Sequence, residues 1–229
     1  MTLARTGSGP PGRAAGRPVV TGAGVLSAAG RGLAALAEAV THGAPLFGPV
    51  TRFDVSARRT TRAALFPDSA PTADGAPPAE SAPPTGTRPL AGAVLDAIGQ
   101  ACRQAGLTSA EGAALPVLLA LHSDEHTRAT ADAVAAGVRA DWGAPGVTRV
   151  YNGACVAAAT AVADAGALVA TGRHERVLVA AGHLVGPGVF AVFDAGRALA
   201  RDGEARPFSA GRTGTLLADA AAAVLVESA

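Results

Sequence analysis

The 229-residue sequence lacks lysine altogether, since all 19 of its basic residues are arginine. Schiff-base chemistry and lysine general-base catalysis are therefore excluded for this polypeptide. Charged residues are also scarce, at 16% of the chain, and the 19 basic and 18 acidic side chains leave a net charge of +1. With no basic surplus to neutralise phosphates, the composition argues against nucleic-acid binding. The hydrophobic content of 49% in turn excludes global disorder.

Cysteine is nearly absent as well, with only Cys102 and Cys155 in the chain. Two cysteines are too few for a disulfide framework and form no CxxC zinc pair, which fits a reducing compartment. The N-terminus has no apolar stretch typical of a secretory signal. The longest uncharged run, residues 177–193, is shorter than a typical membrane span and contains glycine and proline. The sequence therefore predicts a soluble, cytoplasmic protein.

Two segments have a composition that does not support a packed core. Residues 1–17 are rich in Gly, Pro and Arg, and residues 67–88 are dense in Pro, Ala, Ser, Thr and Gly. Such segments bury too little apolar surface to offset the entropy lost on ordering. We predict a disordered arm at 1–17 and a flexible loop at 67–88, within a domain that covers 18–229.

Short apolar runs alternate with segments of helical periodicity along this domain. Continuously apolar strands that alternate with helices are typical of a sheet covered on both faces. The sequence therefore predicts an α/β fold with a mixed, mostly parallel sheet and helices on both faces. The predicted strands are 18–24, 116–121, 148–151, 176–182 and 221–227, and the predicted helices are 32–41, 90–105, 124–140 and 155–171.

The glycine-rich segment Thr21-Gly22-Ala23-Gly24 lies at the end of the first predicted strand, as a dinucleotide-binding turn would. The next glycine, Gly30, lies beyond the fingerprint spacing, and no acidic residue follows at the distance that ribose recognition requires. The segment therefore gives little support to nucleotide binding.

Cys155 lies where a short strand meets an alanine-rich helix, in the segment Tyr151-Asn152-Gly153-Ala154-Cys155. The positive end of a helix dipole and the free N–H groups there favour a thiolate, which is the nucleophilic form of cysteine. The same N–H groups can stabilise an oxyanion on an attacked thioester. A small buried cysteine at the start of a packed helix would give the same pattern, so the local sequence leaves both interpretations open. Cys102, by contrast, lies on the apolar face of the helix 90–105 and is predicted to be a core residue.

Two histidine positions follow predicted strands. His183 comes directly after the strand 176–182, and functional groups gather at the carboxyl ends of parallel strands. His183 is therefore a candidate catalytic partner of Cys155. The next candidates are His122 and His126, with Asp124 and Glu125 between them. This pattern suggests either a metal site or the start of a helix with acids favoured by the dipole. We prefer the helix start and predict no metal.

The order of these segments resembles the N-terminal half of a β-ketoacyl synthase, a condensing enzyme of the thiolase superfamily. The resemblance is collinear over nearly all of residues 18–228. It is carried by VVTGAGVLSAAG (19–30), the pair Phe53-Asp54, GACVAAATAVADAGALVATGRHERVLVAAG (153–182), FDAGRALA (193–200) and RPFSAGRTGTLLADAAAAVLVES (206–228).

The resemblance implies a thiolase-like half fold and a role for Cys155 as the residue that accepts an acyl chain from an acyl carrier protein. No bound cofactor is implied, because the acyl chain arrives on the phosphopantetheine of the carrier protein. The expected setting is polyketide or fatty-acid-like biosynthesis. The expected assembly is a homodimer, or a heteromer with a ketosynthase subunit.

The sequence also departs from the family pattern. Family members are about twice as long, and their second half supplies two catalytic histidines and a lysine. The segment 217–221 keeps an acid but lacks both glycines of the family motif, and Asn152-Gly153-Ala154 replaces a threonine-rich lead-in. We therefore expect an acyltransferase-like protein that does not complete condensation alone. The alternatives are a non-catalytic partner comparable to a chain-length factor, or a fragment without activity.

Overall fold

The computed structural model describes residues 16–43, 45–67, 90–122, 124 and 126–229. The predicted arm at 1–17 and the predicted loop at 67–88 lie outside the described residues, except for Gly16, Arg17 and Pro67.

Each of the five predicted strands is present at the predicted place, and several extend further than predicted. Short two-residue strands accompany them in the described part of the chain. The strands are β1 (Pro18–Ser27), β2 (Gly30–Arg31), β3 (Gly48–Pro49), β4 (Arg62–Ala63), β5 (Val117–Leu121), β6 (Val147–Tyr151), β7 (Arg176–His183) and β8 (Ala220–Ser228).

Six of these strands form one mixed sheet in the order β2-β1-β8-β7-β5-β6, while β3 pairs with β4. The pairs β7–β5 and β5–β6 are parallel, and the pairs β2–β1, β1–β8 and β8–β7 are antiparallel. The mixed sheet is confirmed, but the expectation of mostly parallel pairing is wrong, because three of the five described pairings are antiparallel. A strand buried on both faces is continuously apolar in either direction, so the apolar runs do not report orientation.

Helices cover both faces of the sheet, as predicted. The strand β5 is buried along its whole length, and its alternating side chains separate the two faces. Leu119 packs with the helix Leu90–Gln104 in one hydrophobic cluster, whereas Leu118 packs with the helix Ala157–Ala170 in another. The helices are α1 (Leu33–His42), α2 (Leu90–Gln104), α3 (Ser109–Gly112), α4 (Thr127–Trp142), α5 (Ala157–Ala170) and α6 (Pro187–Ala195).

The helix α1 is present at nearly the predicted bounds and lies on the surface. It has no buried residue, and Leu33 and Val40 are 46% and 75% exposed. In the described part of the chain, the helices are too short or too polar to cross a membrane.

The glycines of the segment 21–24 bring β1 close to α2. A Cβ atom at Gly24 would collide with the carbonyl oxygen of Ala97 and lie 2.6 Å from the Gln100 Cβ atom. Gly22 faces the carbonyl oxygen of Ala101 in the same way. The side chain of Gln100 then donates to the carbonyl of Val25 over 3.2 Å. These glycines therefore have a packing role, which explains the segment without a nucleotide.

Candidate functional site

Three neighbouring parallel strands end at the same edge of the sheet and carry the candidate residues. The β5–β7 register pairs Leu121 with Gly182, so His122 and His183 occupy the next positions on adjacent strands. The strand β6, on the other side of β5, leads through Asn152 and Gly153 to Cys155. Residues at the carboxyl ends of adjacent parallel strands converge, which is the usual position of a functional site in such sheets.

A cleft of about 320 Å³ opens at this edge and brings these residues together. Cys155, His122 and His183 are the lining residues that carry a polar or ionisable side-chain group. The rest of the lining is apolar and comes from β5, β7, β8 and the segment before it, the turn at the entrance to α5, the start of α5, and α6. It comprises Ala120, Leu121, Ala154, Ala157, Ala158, Ala181, Gly182, Val189, Phe193, Leu217, Ala220 and Ala222.

Cys155 lies on a tight turn at the entrance to α5. The residues Ala154–Val156 form a single 3₁₀ turn, and α5 follows from Ala157. Ala154 has a φ of 52°, a left-handed conformation that costs a residue with a Cβ atom on the order of 1–3 kcal/mol. Such strain tends to persist at functional sites. The turn leaves Cys155 exposed at the N-terminal end of the helix.

The imidazole rings of His122 and His183 face each other across the cleft wall. Their centroids lie 5.2 Å apart, and the ring planes are tilted by 49°. Burial lowers the pKa of His183 below its usual 6.5, and the neighbouring His122 lowers it further, while Asp219 and Asp124 act in the opposite direction. His183 is therefore held in its neutral form near pH 7, in which one ring nitrogen can accept a proton.

The buried carboxylate of Asp219 fixes the segment that follows His183. Asp219 is 1% exposed and accepts a bidentate pair of hydrogen bonds from Arg52, one of them over 2.9 Å. It also accepts from the backbone N–H of Val185 over 2.8 Å and of Phe66 over 2.7 Å. One carboxylate, in the residue directly before β8, thus ties the chain to three other segments, and it holds the backbone two residues beyond His183.

The backbone of His122 is held by the turn that precedes α4. The Thr127 hydroxyl donates to the carbonyl of His122 over 2.7 Å and accepts from the N–H of Asp124 over 2.8 Å. The Asp124 carboxylate accepts from the N–H of His126 over 2.9 Å. α4 begins at Thr127, three residues after the predicted start at 124, and its first turn contains no acidic residue, so the expected acid favoured by the helix dipole is not found there. In the described ranges, no group of three or more His, Cys, Asp or Glu residues is placed to hold a metal ion.

Residues 17–229 match the family model described as "Beta-ketoacyl synthase, N-terminal domain". The chain belongs to the β-ketoacyl synthase family. Comparison with the curated proteins gives no significant match.

Solved structures of ketosynthases share the fold of this ketosynthase domain. A β-ketoacyl synthase from Burkholderia phymatum STM815 is 22% identical, with a TM-score of 0.74, and the match covers 93% of this chain and 59% of that one. The ishigamide ketosynthase/chain length factor is also 22% identical, with a TM-score of 0.74 and coverages of 94% and 59%. A ketosynthase bound to the hexaketide, in complex with its type II polyketide synthase acyl-carrier protein, is 18% identical, with a TM-score of 0.71 and coverages of 93% and 58%. The chain therefore spans less than two thirds of the length of these structures.

Sequence reasoning named Cys155 and His183 as candidate site residues, and both line this cleft. It considered His122 as a metal ligand or as part of a helix start, and it did not connect His122 with Cys155 or His183. Sequence reasoning also expected the small residues at 157–159 to pack deeply, but only Ala157 is buried, and Ala158 and Ala159 are exposed.

The two thiols of the ketosynthase domain differ sharply in environment. Cys102 is fully buried on α2, and burial raises its pKa to about 11. Cys155 is exposed. We expect limiting iodoacetamide to alkylate Cys155 first in the native protein, because the reagent reacts with accessible thiolate. Peptide mass spectrometry measures the order, and preferential labelling of Cys102 would contradict the assignment of Cys155 as the reactive thiol.

The lowered pKa of His183 predicts that the ketosynthase domain loses stability in mild acid. Below about pH 6.5 the unfolded chain binds a proton at this histidine more readily than the folded chain does, so the free energy of unfolding falls as the pH falls. We expect a lower melting temperature at pH 5.5 than at pH 7.5. His183→Gln should reduce that difference, whereas His42→Gln, on the exposed end of α1, should leave it unchanged. Equal pH dependence in all three proteins would show that His183 is not responsible.

Proposed function

We propose that this ketosynthase domain handles acyl thioesters of an acyl carrier protein through Cys155, in polyketide or fatty-acid-like biosynthesis. The observation that carries the proposal is the exposed Cys155 at the start of α5, in an apolar cleft that also contains His183. The acyl chain arrives on the phosphopantetheine of the carrier protein, so the transfer uses no cofactor bound to the domain.

Thioester exchange accounts for these groups. The Cys155 sulfur attacks the thioester carbonyl after its proton passes to His183, and the backbone N–H groups at the start of α5 stabilise the oxyanion. The bond between the acyl carbon and the phosphopantetheine sulfur breaks. The departing thiolate then takes the proton from His183, which leaves an acyl thioester on Cys155 and a free thiol on the carrier protein.

The walls of the cleft suit an apolar acyl chain. Leu121, Val189, Phe193 and Leu217 line it together with alanines, and contact with such side chains removes apolar surface of the chain from water. At roughly 25 cal/mol per Å² of buried apolar area, each methylene contributes about 0.8 kcal/mol. The cleft should therefore retain longer saturated acyl groups better than acetyl.

The proposed partners are an acyl carrier protein and a second condensing-enzyme chain, in a homodimer or in a heteromer with a ketosynthase subunit. The complex of a ketosynthase with its acyl-carrier protein supports the first partner by analogy of fold. Exposed apolar side chains on and beside α5 support the second: Val156 is 63% exposed and Val162 is 43% exposed. Apolar surface of this kind is typical of a protein–protein interface.

A second candidate function is that of a non-catalytic partner comparable to a chain-length factor. The likeness to the ishigamide ketosynthase/chain length factor favours it, as does the replacement of the threonine-rich lead-in by Asn152-Gly153-Ala154. In that role the cleft would shape a pocket for another subunit, and Cys155 would carry no acyl group.

Acylation of Cys155 is the direct test. The full chain is incubated with an octanoyl-loaded acyl carrier protein and analysed by intact mass spectrometry. We expect one octanoyl adduct, which peptide mapping places on Cys155. Cys155→Ala should abolish the adduct, and Cys102→Ala, the matched control at the buried thiol, should retain it. If the wild-type chain forms no adduct while remaining folded, the chain-length-factor-like function is favoured instead.

A further inference from the structure

Two imidazoles share the cleft with Cys155, although transfer of an acyl group onto a thiol needs only one base. His122 and His183 come from different strands and lie adjacent because of the β5–β7 register. Each is held by its own anchor, Thr127 for the backbone of His122 and Asp219 for the segment after His183. The pair is therefore positioned by the fold rather than by a mobile loop.

The cleft offers no group that would hold a charged second substrate. Apart from Cys155 and the two histidines, its described lining consists of Ala, Leu, Gly, Val and Phe. The nearby Arg52 is engaged by Asp219 in a bidentate pair. Water needs no such binding group, and it reaches Cys155, which is exposed. A neutral imidazole beside an exposed thioester is suited to activating water.

We infer that His183, positioned by His122, hydrolyses the acyl group from Cys155, so that the cleft releases a free carboxylic acid. The inference rests on the proposed acylation of Cys155. His183 removes a proton from water while the water oxygen attacks the acyl carbon. The bond between that carbon and the Cys155 sulfur breaks, and the sulfur takes the proton from His183. One acyl thioester and one water thus yield one carboxylic acid and one thiol.

The ring of His122 acts on this reaction through His183. The two rings lie beside each other with centroids 5.2 Å apart, and His122 lowers the pKa of His183. The other groups that act on His183 are Asp219 and Asp124, both of which favour its protonated form. His122 is therefore a positioning residue, and its loss should shift the pH at which the base becomes active.

The test uses hexanoyl-N-acetylcysteamine as the probe and follows both the Cys155 adduct and free hexanoic acid between pH 5.5 and 8. Wild-type chain is acylated with excess probe, freed of it, and sampled by intact mass spectrometry. We expect the adduct to decay with stoichiometric release of hexanoic acid. His183→Gln should slow the decay by about 10²-fold, a typical loss for a general base, and added imidazole should restore part of the rate.

His122→Gln should slow the decay less and move the midpoint of its pH profile upward, because His122 lowers the pKa of His183. His42→Gln is the control and should decay as the wild type does. Rescue by imidazole shows that His183→Gln retains a folded cleft, and circular dichroism checks the fold of each variant independently.

The possible failures are distinguishable. An adduct that persists on the wild-type chain, or that decays equally fast in His183→Gln, overturns the hydrolysis and leaves the proposed acylation intact. Absence of both adduct and free acid overturns the proposed acylation itself. An unchanged pH profile in His122→Gln overturns the positioning role of His122.

Discussion

Replacing Asp219 with alanine should lower the free energy of unfolding by about 3–5 kcal/mol, because it removes one partner of a buried ion pair. The change leaves the Arg52 guanidinium without its carboxylate, and it leaves the N–H groups of Phe66 and Val185 without their acceptor. Chemical denaturation followed by circular dichroism measures the loss. A chain of this size has a total stability of about 5–15 kcal/mol, so the variant should be unfolded over a large part of the usual temperature range.

The matched control is Asp202→Ala. Asp202 also pairs with an arginine, Arg206, but on the surface of the molecule. Exposed ion pairs contribute little to stability, so this variant should unfold at nearly the same denaturant concentration as the wild type. If both substitutions lower the free energy of unfolding by the same amount, then the burial of Asp219 does not account for its contribution to stability.

Gly24→Ala should destabilise the fold by about 1–3 kcal/mol or more, although it adds only a methyl group. The added Cβ atom collides with the Ala97 carbonyl oxygen and meets the Gln100 Cβ atom at 2.6 Å, so β1 and α2 must move apart. Backbone atoms give way less readily than the end of a flexible side chain. Thermal unfolding of the purified variant measures the effect.

Gly188→Ala provides the same chemical change without the collision. Gly188 lies in the first turn of α6, and a Cβ atom there meets nothing within 4 Å. Alanine in a helix reduces the entropy of the unfolded chain, so this variant should be as stable as the wild type or slightly more stable. If Gly24→Ala proves equally neutral, then the close approach of β1 and α2 is not a constraint on this position.

Much of the secondary structure could be predicted because strong local signals carry it. The apolar run at 116–121 and the four-residue spacing of Leu90, Val94, Ile98 and Cys102 depend only on neighbouring residues. Both features appear in the structure at nearly the predicted bounds. Cys102 lies in the core for the same reason, since its position on the apolar face of α2 follows from helical periodicity.

Strand direction could not be predicted in the same way. The strand β8, the last in the chain, lies between β7 and β1, the first strand of the domain. It pairs antiparallel with both. Such pairings are set by the whole tertiary arrangement, and an apolar run in the sequence does not indicate the direction of the strand or its neighbours. The exposed face of α1 is a similar case, because periodicity indicates which residues share a face but not whether another element covers it.

The candidate site shows the same division. The position of Cys155 at a strand-to-helix turn was readable from local sequence. The proximity of His122 to His183 was not, because it depends on the register between two strands far apart in the sequence. The left-handed conformation of Ala154 was also unexpected. Glycine adopts positive φ angles more easily than alanine, so the neighbouring Gly153 was the more natural position for such a turn.

The candidate reactive side chains of the cleft lie at or beyond the ends of the strands, whereas the strands themselves carry the buried core. The side chains of Val117–Leu121 are buried, but His122 is only partly so and Cys155 is exposed. Substitutions at the three reactive positions therefore leave the packing of the sheet nearly untouched. Variants at these positions can therefore separate the chemistry of the cleft from the folding of the sheet that carries it.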